Sequence, residues 1–298
     1  MKVAIFGISG YLGIELIKIL SQRKEVEIVY TATSKEKKGK IEDASIALLA
    51  LPANESLPLV PKILSLGIKV IDLSGAYRLK KPESYTKYFG WQHPHPELLN
   101  EAVYGLVENN RDNISKARLI ANPGCYATAI NLGLLPLVKR GLISQTSKVI
   151  IKAMSGYTGA GKRVKIPKTI TSYKGGRQHQ HIPEVEQELG IQKQLLFYPQ
   201  IAPWPRGIEV DIYAKISSEL EIFDLYKQLY RNEFFVRVRR AGVKTEDVIG
   251  TNFCDIFPQI KDSFTIIKVV IDNLGKGGAG QAVQNLNIMC GFPETLVY

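Results

Sequence analysis

Asn122-Pro-Gly-Cys-Tyr-Ala-Thr128 is the stretch of this sequence that decides the fold, because it joins a strand pattern to a helix pattern. Residues 118–121 form a short apolar run typical of a buried strand, and residues 129–140 carry apolar side chains at helical spacing. The Pro-Gly turn places Cys125 at the helix start, near free backbone N–H groups and the positive end of the helix dipole. Both favour the thiolate, the form that attacks carbonyl carbon. A buried structural cysteine is the alternative, and the turn, the helix start and companion histidines argue against it.

Four histidines occur in two pairs, and one pair is placed to serve a cysteine nucleophile. His179 and His181 follow a glycine-containing loop and precede a helix with Pro183 in its first turn. Imidazole titrates near neutrality, so either side chain could transfer protons for the cysteine. The pair in the rigid turn His93-Pro-His-Pro96 is interpreted as structural. A metal site is disfavoured, because two histidines lack a nearby carboxylate or a second cysteine.

Composition excludes several classes of protein. The 298 residues can hold two domains of ordinary size, and 45% hydrophobic with 22% charged residues is typical of a globular chain. No apolar run reaches membrane-spanning length and the chain opens on a strand pattern, so we expect a cytoplasmic protein with no membrane segment. Cys125, Cys254 and Cys290 are widely spaced, which suits a reducing compartment and does not indicate zinc.

The formal charge of +11 is compatible with binding to nucleic acid, to a membrane surface or to acidic small ligands. Basic clusters lie at 35–40, 162–168 and 237–240, but none is interleaved with aromatic residues as a base-stacking surface would be. We therefore expect no nucleic-acid binding, and instead a solvated basic surface with a site for phosphorylated, multiply anionic ligands.

The N-terminal segment has the layout of a dinucleotide-binding unit. An apolar strand at 2–6 leads into the turn Gly7-Ile-Ser-Gly-Tyr-Leu-Gly13, an amphipathic helix at 14–20 and a second strand at 26–33. The first glycine permits the tight turn, the second lets a diphosphate approach the backbone, and the third lets the helix pack on the sheet. The alternative is a tight turn that binds no ligand.

The residues after the second strand predict the cofactor. Enzymes that prefer NAD usually carry Asp or Glu there to bind the ribose hydroxyls. Here Thr33, Ser34 and Lys35 occupy the position, and a hydroxyl beside an ammonium suits a 2′-phosphate. We predict NADP, with Glu36 nearby and a solvated charge run as the alternative interpretation.

Alternating strand and helix patterns in the first half predict an α/β domain with a Rossmann-type, doubly wound parallel sheet. Strand patterns at 45–51 and 69–73 flank a helix at 54–66 that two prolines, Pro58 and Pro61, are expected to interrupt. Residues 74–117 are turn-rich, and we expect loop and short helix there.

The second half predicts a separate α+β domain with a mostly antiparallel sheet. Its strand patterns lie at 148–154, 207–216, 234–239, 253–257 and 264–271, with a crossing helix at 220–231. A last helix at 277–289 has small apolar residues on one face and Gln and Asn on the other, and returns to the first domain. The predicted domains are 1–124 with 276–298 for NADP binding, and 125–275 for catalysis, substrate and oligomerisation.

These motifs together resemble those of the N-acetyl-gamma-glutamyl-phosphate reductase family, arginine-pathway relatives of aspartate-semialdehyde dehydrogenase. The resemblance begins with Gly-Cys-Tyr-Ala-Thr around Cys125 and covers nearly the whole chain. It extends through residues 7–13, 72–79, 103–106, 155–162, 179–187, 205–208, 250–255 and 272–281.

The resemblance implies roles for particular residues. Cys125 is the expected nucleophile and His179 or His181 the acid/base, with His179 favoured. The residues expected near substrate are Arg78, Ser155, Tyr173 and Arg206. Those expected at the cofactor are Gly7, Ser9, Gly10, Tyr11, Leu12, Gly13, Ser34, Lys35, Pro52, Ser74 and, on the nicotinamide side, Asn273. No metal is implied.

The implied reaction is attack of the Cys125 thiolate on an acyl phosphate, loss of phosphate, and hydride transfer from NADPH to the thioester. A related reductase acts on an acyl phosphate borne by an acidic carrier protein, and Tyr126 favours the free small-molecule substrate instead. A non-enzymatic NADP-binding regulator is the alternative from another class. We expect a homodimer or homotetramer formed through the second domain's sheet.

Two departures from the family's pattern concern the walls of the expected site. Only residues 35–43 separate the second strand from the strand at Ser45, where the family usually has a longer insertion. The aspartate of the family's Ser-Ala-Asp-Phe-Arg run is replaced by Gly75-Ala-Tyr77.

Overall fold

The computed structural model describes residues 1–143, 147–162, 164–216 and 221–297. It separates into two compact units: the chain from Met1 to Gly124 together with the chain from Gly278 onward, and the chain from Cys125 to Gly277. The sequence placed the second crossing between residues 275 and 276, slightly before the observed one. The described residues of each unit form one seven-stranded sheet.

The sheet of the first unit is parallel except at one edge. Its strands are β1 (Lys2–Phe6), β2 (Glu27–Ala32), β3 (Lys37–Gly39), β4 (Ile46–Leu49), β5 (Lys69–Asp72), β6 (Val103–Tyr104) and β7 (Leu119–Ala121). They lie in the order β3-β2-β1-β4-β5-β7-β6, and only β3 is antiparallel to its neighbour. The direction of winding reverses between β1 and β4, the point where doubly wound sheets bind ligands at their carboxyl ends. The predicted doubly wound parallel sheet is confirmed.

The helices of this unit include more of residues 74–117 than the sequence indicated. Those before residue 124 are α1 (Tyr11–Leu20), α2 (Ala53–Ser65), α3 (Pro82–Phe89), α4 (Pro96–Glu101) and α5 (Val107–Lys116). The ten-residue α5 was not predicted, because only Val107, Glu108 and Ile114 are buried along it and its apolar pattern is weak.

Two prolines lie inside α2 without interrupting it, so that prediction was wrong. Pro61 has no N–H to give to the carbonyl of Leu57 four residues earlier. The hydroxyl of buried Tyr77 donates to that carbonyl instead, at 2.9 Å. A tertiary hydrogen bond therefore replaces the one that the proline removes.

A short hairpin occupies the segment that separates β2 from β4. β3 folds back so that Lys37 pairs with Ala32 and Gly39 with Tyr30. Oγ1 of Thr33 fixes the turn by accepting hydrogen bonds from the N–H groups of Lys35 (3.2 Å) and Glu36 (2.9 Å). The side chains at the tip of the hairpin are exposed.

The sheet of the second unit is mixed but mostly antiparallel, as predicted. Its strands are β8 (Val149–Gly156), β9 (Thr171–Ser172), β10 (Leu195–Ala202), β11 (Ile208–Ala214), β12 (Val236–Val238), β13 (Cys254–Lys261) and β14 (Phe264–Ile271). They lie in the order β12-β13-β14-β11-β8-β10-β9, with parallel pairs only at β12–β13 and β8–β10. The sequence missed β9, which is two residues long, and β10, whose Pro199 is a residue type rarely found inside strands.

Three α-helices are found among the described residues of the second unit: α6 (Cys125–Lys139), α7 (His181–Leu189) and α8 (Ile222–Leu229). The helix expected over 220–231 is the shorter α8, and its predicted first residue, Leu220, lies outside the described residues. Pro136 lies inside α6 and has no N–H to give to the carbonyl of Leu132, four residues earlier. As in α2, a tyrosine hydroxyl replaces the missing donor: that of Tyr230 donates to the Leu132 carbonyl.

One face of this sheet is covered by helix and the other is open. α6 packs on β11 and β14, where Ile212 and Val269 are fully buried. On the opposite face, Ile150 is 42% exposed and Tyr198 47% exposed. Neighbouring strands align the open-face side chains in two rows: Leu196, Ile150, Tyr213 and Ile266, then Tyr198, Lys152, Asp211 and Lys268. Apolar and charged side chains thus alternate from row to row.

The last helix, α9 (Gly280–Met289), is buried on its polar side as well as its apolar one, contrary to the amphipathic pattern. Nε2 of Gln281 and Nδ2 of Asn285 each donate to the carbonyl of Gly105 at 2.9 Å, and both residues are fully buried. The amide face therefore binds backbone of the same unit rather than water. Neither α9 nor any other described helix is long and apolar enough to cross a membrane.

Candidate active site

Cys125 is the first residue of α6, directly after the Pro-Gly turn, and it is partly exposed. The first turn of α6 carries no acidic side chain, so its N–H groups and the helix dipole favour negative charge on the sulfur. Gly277 leaves room for the side chain, because a Cβ there would lie 3.0 Å from Cβ of Cys125. Of the other cysteines, Cys254 is buried and Cys290 belongs to the first unit.

A small open volume beside the sulfur exists because residue 159 is glycine. A Cβ at Gly159 would lie 3.0 Å from Oγ of Ser155, 3.7 Å from Nδ2 of Asn273 and 4.0 Å from Sγ of Cys125. We refer to this volume as the Gly159 space. Gly159 is exposed and Cys125 is partly exposed, whereas Ser155 and Asn273 are buried. The Cys125 sulfur and two polar side chains therefore meet around one point.

The side chain of Asn273 is held in one orientation. Its Oδ1 accepts from the N–H of Gly207 at 2.9 Å, and its Nδ2 donates to Oγ1 of Thr158 at 2.7 Å. Thr158 in turn donates to the carbonyl of Pro205 at 2.5 Å, so its oxygen is an acceptor toward Asn273. Asn273 was predicted as a cofactor contact, and these contacts all lie within the second unit.

Both predicted catalytic histidines lie in an aromatic cluster at the start of α7. The rings of His179 and His181 are 4.5 Å apart, and Tyr126 meets each of them edge-on at 6.0 Å. Phe197 and Tyr173 pack edge-on against His179, at 5.1 and 5.6 Å. Because Tyr126 follows Cys125 directly, the Cys125 backbone and the imidazole pair are brought into one neighbourhood.

The two histidines differ in what their rings do. Nδ1 of His179 accepts a hydrogen bond from the N–H of His181 at 3.1 Å, so neutral His179 carries its proton on Nε2. His179 is 2% exposed, and burial, with smaller effects from His181 and Lys174, lowers its pKa to about 2, while Glu184 opposes the shift. His179 is therefore neutral at physiological pH and acts on the backbone at the beginning of α7.

The Tyr126 hydroxyl joins three segments of the site. It donates to the carbonyl of Gln200 at 2.6 Å and is in hydrogen-bond contact with Tyr173 and Ser155. Burial raises the pKa of both tyrosines well above the usual value, so both stay protonated. The side chain of Gln200 also donates to Ser172, which fixes the loop that leads to the histidines.

Arg206 is held by a buried carboxylate. Its Nε and Nη2 lie 3.0 and 2.6 Å from Oδ2 of Asp272, which is fully buried. The same carboxylate accepts from the N–H groups of Gly250 (2.7 Å) and Leu274 (3.0 Å). The guanidinium remains partly exposed, so its position is fixed while a face stays accessible to an anion.

The glycine-rich turn of the first unit fits a dinucleotide diphosphate. A Cβ at Gly7 would lie 2.2 Å from the carbonyl of Ala50, and one at Gly13 would lie 2.2 Å from the carbonyl of Gly7, so both positions require glycine. A Cβ at Gly10 meets only the Gly7 carbonyl, at 3.4 Å, and would project into open space. No side chain caps the N-terminus of α1, which leaves its N–H groups for a phosphate.

The remaining predicted cofactor residues surround the carboxyl ends of the same strands. Pro52 precedes α2 at its N-terminus, beyond β4. The hydroxyl of Ser74 is used internally, since it donates to Asp72 at 2.7 Å and accepts from the N–H of Ala76. Ser9, Tyr11 and Leu12 lie in the glycine-rich turn and the first turn of α1, and Ser34 and Lys35 at the tip of the hairpin.

Arg78, predicted as a substrate residue, belongs to the first unit. It donates to the carbonyls of Asn122 (2.8 Å) and Leu73 (2.9 Å) and so supports the turn that precedes Cys125 in the chain. The other histidine pair is in this unit too. His93 is buried against Tyr77, Tyr85 and Trp91, as a structural residue would be.

Sequence reasoning missed four residues of this site: Tyr126 as a contact of the histidines, Gly159, Thr158 and Asp272. Gly159 and Thr158 lie in the Ser155–Lys162 motif, so the only available signal was a run of small residues after a strand. Within the described residues, no group of three or more His, Cys, Asp or Glu side chains could hold a metal.

Comparison with protein families agrees with both units. The semialdehyde dehydrogenase NAD binding domain matches residues 2–43 and 36–117, and the semialdehyde dehydrogenase dimerisation domain matches residues 125–273. Among solved structures, aspartate semialdehyde dehydrogenase II from Vibrio cholerae has a TM-score of 0.74 at 15% identity, covering 97% of this chain and 98% of that one. Aspartate semialdehyde dehydrogenase with NADP from Candida albicans has a TM-score of 0.68 at 14% identity, covering 99% of each chain. These neighbours establish the fold.

Curated relatives are much closer in sequence. N-acetyl-gamma-glutamyl-phosphate reductases from Nitrosospira multiformis and Geotalea daltonii are each 40% identical to this chain, and one from Bacillus cereus is 39% identical. Each alignment covers 99% of this chain and 97% of the relative. Together with an NAD-binding first unit and a dimerisation-type second unit, this similarity shows that the chain belongs to the N-acetyl-gamma-glutamyl-phosphate reductase family of oxidoreductases.

Proposed function

We propose that this chain reduces free N-acetyl-gamma-glutamyl phosphate to N-acetylglutamate semialdehyde and phosphate, using NADPH and a thioester on Cys125. The observation that carries the proposal is Cys125 at the first residue of α6, with Sγ bordering the Gly159 space. The names of the curated relatives support the substrate and the reaction.

The protein's part in the first half of the reaction is to form the thioester. The Cys125 thiol gives its proton to an imidazole, and the thiolate attacks the acyl carbonyl carbon. The first-turn N–H groups of α6 stabilise the oxyanion, an effect of about 3 kcal/mol. Collapse of the oxyanion breaks the bond to phosphate, and the imidazolium gives its proton to the departing phosphate oxygen.

NADPH, when bound, supplies one hydride to the thioester carbon. The resulting alkoxide collapses to the aldehyde and releases the Cys125 thiolate, which takes a proton from solvent through the imidazole. Arg206, fixed by Asp272, and Arg78 are the proposed anchors for the substrate's phosphate and carboxylate, with Ser155 and Tyr173 beside the reacting carbon. The glycine-rich turn of the first unit is the proposed diphosphate site.

Cys125→Ser should lower the reduction of N-acetyl-gamma-glutamyl phosphate by at least about a thousandfold, because serine does not ionise near neutral pH. NADPH binding, measured by fluorescence titration, should stay at the wild-type value. Cys290→Ser, which changes an exposed cysteine of the first unit, is the matched control and should keep wild-type kcat. Substantial turnover by Cys125→Ser would reject the thioester route.

We assign the proton transfer to His181 rather than to His179, which the sequence favoured. Nδ1 of His179 is occupied by the backbone of α7, and burial keeps its pKa far below neutrality, so it is a poor base. The charge of Cys125 acts on the pKa of Tyr126 and Tyr173, whereas the charges acting on His179 are those of His181, Lys174 and Glu184.

His181→Asn should lower kcat about a hundredfold or more, and His179→Asn less than about tenfold, in assays at saturating NADPH. The two variants should also differ in acid stability. The unfolded chain protonates residue 179 below about pH 6.5 while the folded chain does not, so wild-type stability falls by up to about 1.4 kcal/mol per pH unit there. His179→Asn should remove that part of the slope in urea unfolding between pH 4 and 7. A larger kcat loss in His179→Asn than in His181→Asn would overturn the assignment.

NADP is the proposed cofactor because the hairpin tip presents Ser34 and Lys35 beyond β2, where the adenosine ribose binds in this fold. Lys37, Lys38 and Lys40 follow, so the local charge favours a 2′-phosphate.

Lys35→Ala should raise the KM for NADPH about tenfold and leave the KM for NADH unchanged, because only the 2′-phosphate distinguishes the two cofactors. Lys116→Ala, an exposed lysine at the end of α5, controls for the loss of one positive charge from the same unit. An equal change in both KM values would show that Lys35 does not read the 2′-phosphate.

The proposed assembly is a homodimer, or a homotetramer containing it, that covers the open face of the second sheet with a second copy. That face exposes Ile150 and Tyr198 beside the ion pairs of Lys268 with Glu209 and Asp211. The match to a dimerisation domain supports this partner.

Ile150→Lys should shift the protein to monomer in sedimentation velocity, because it places a charge in the apolar row of the open face. Ile166→Lys, at a residue 53% exposed in a loop of the same unit, should leave the assembly unchanged. An unchanged sedimentation coefficient for Ile150→Lys would show that the interface between copies lies on another surface.

A further inference from the structure

The Gly159 space has the geometry of a binding position for a carbonyl group attached to Cys125. Its centre, marked by the Cβ position of Gly159, is 4.0 Å from Sγ, which is beside the place a thioester carbonyl occupies. Ser155 and Asn273 border the same point with a hydroxyl and an amide nitrogen. The Ser155 hydroxyl donates to the carbonyl of Gly156 at 3.0 Å, so the Asn273 amide nitrogen, 3.7 Å from the marked point, is the donor for a carbonyl oxygen that lies between Sγ and that point.

We propose that Asn273 is a catalytic residue of thioester formation, whose Nδ2 donates a hydrogen bond to the acyl carbonyl oxygen as that oxygen becomes negative. This assignment rests on the proposed function and replaces the expected role of Asn273 as a nicotinamide contact. It also explains why residue 159 is glycine, since any side chain there fills the space that the carbonyl requires.

The amide of Asn273 can make this bond without giving up a contact. Among the described residues its Nδ2 makes one hydrogen bond, to Thr158, and an amide nitrogen carries two hydrogens. The amide cannot turn over, because its NH₂ group would then face the N–H of Gly207, which now donates to Oδ1. With Asn273 at 2% exposure, the second hydrogen is fixed in advance of the reaction.

The step that this bond assists is complete in atoms and electrons. The thiolate of Cys125 forms the C–S bond as the carbonyl π pair moves onto oxygen, and that pair returns when the bond between carbon and the phosphate oxygen breaks. A donor aimed at the oxygen stabilises the charge only while it exists, so it raises the rate and not the affinity. No hydride is needed, so the step can be measured without cofactor.

The experiment measures the burst of phosphate released when N-acetyl-gamma-glutamyl phosphate is mixed with enzyme in the absence of NADPH, using a fluorescent phosphate sensor. Wild type should release about one phosphate per Cys125. Asn273→Ala should slow the burst about a hundredfold, and Asn273→Asp should slow it further, because a carboxylate repels the oxyanion. Both variants should bind NADPH with the wild-type Kd.

Asn131→Ala, which removes a fully buried amide from α6 of the same unit, is the control and should keep the wild-type burst rate. Gly159→Ala provides a second test that does not remove the amide, and it should slow the burst by filling the Gly159 space. If the Asn273 variants do not fold, the burst rate of Gly159→Ala alone decides whether the proposal holds.

The outcomes separate the two proposals. A wild-type burst with an equal burst in Asn273→Ala or Gly159→Ala overturns the role of Asn273, and weaker NADPH binding in Asn273→Ala would assign the residue to the cofactor. A wild type that turns over with NADPH yet gives no burst overturns the separate thioester step, and a wild type without any reduction overturns the proposed function itself.

Discussion

One buried carboxylate organises the residues of the candidate site in the second unit. Asp272 follows β14 with no exposure, and it holds the guanidinium of Arg206 as well as the N–H groups of Gly250 and Leu274. Removing one member of such a buried pair leaves an uncompensated charge, so the arrangement is strongly specified. The next residue, Asn273, extends the same network to Gly207 and Thr158. Two consecutive residues at a strand end therefore hold three loop segments in place, at residues 158, 206–207 and 250.

Much of the fold was readable from the sequence because its signals are local. Glycines in the first turn, continuous apolar strands and a Pro-Gly turn before a helix each depend on residues that are near one another in the chain. The predictions that were wrong concern residues whose hydrogen-bond partners are far away in the sequence. The prolines of α2 read as breaks because Tyr77, which satisfies the Leu57 carbonyl, is twenty positions away. The amides of α9 read as a solvated face because their partner, the carbonyl of Gly105, is about 180 positions away.

The same distinction between local signals and distant partners applies to the candidate site. The prediction for Cys125 came from its own neighbourhood in the chain, and the prediction for the histidine pair came from its position before a helix. The difference between His179 and His181 was not identifiable, because it depends on which ring nitrogen meets the backbone of α7 and on an aromatic enclosure drawn from α6 and β10. Gly159 could not be predicted for another reason. Its contribution is the space left by the missing side chain, and that space is defined by atoms of residues 125, 155 and 273.

The hairpin between β2 and β3 has a consequence for how this protein can change. Thr33 fixes the turn through its own side chain and the backbone, so neither Ser34 nor Lys35 is needed to hold its shape. Selection can therefore alter the chemistry of the tip without disturbing the sheet beneath it. Under the proposed cofactor assignment, a compact, self-supporting turn of this kind lets electron-donor preference drift independently of the residues around Cys125, and it offers protein engineers a place to retune that preference by surface substitutions alone.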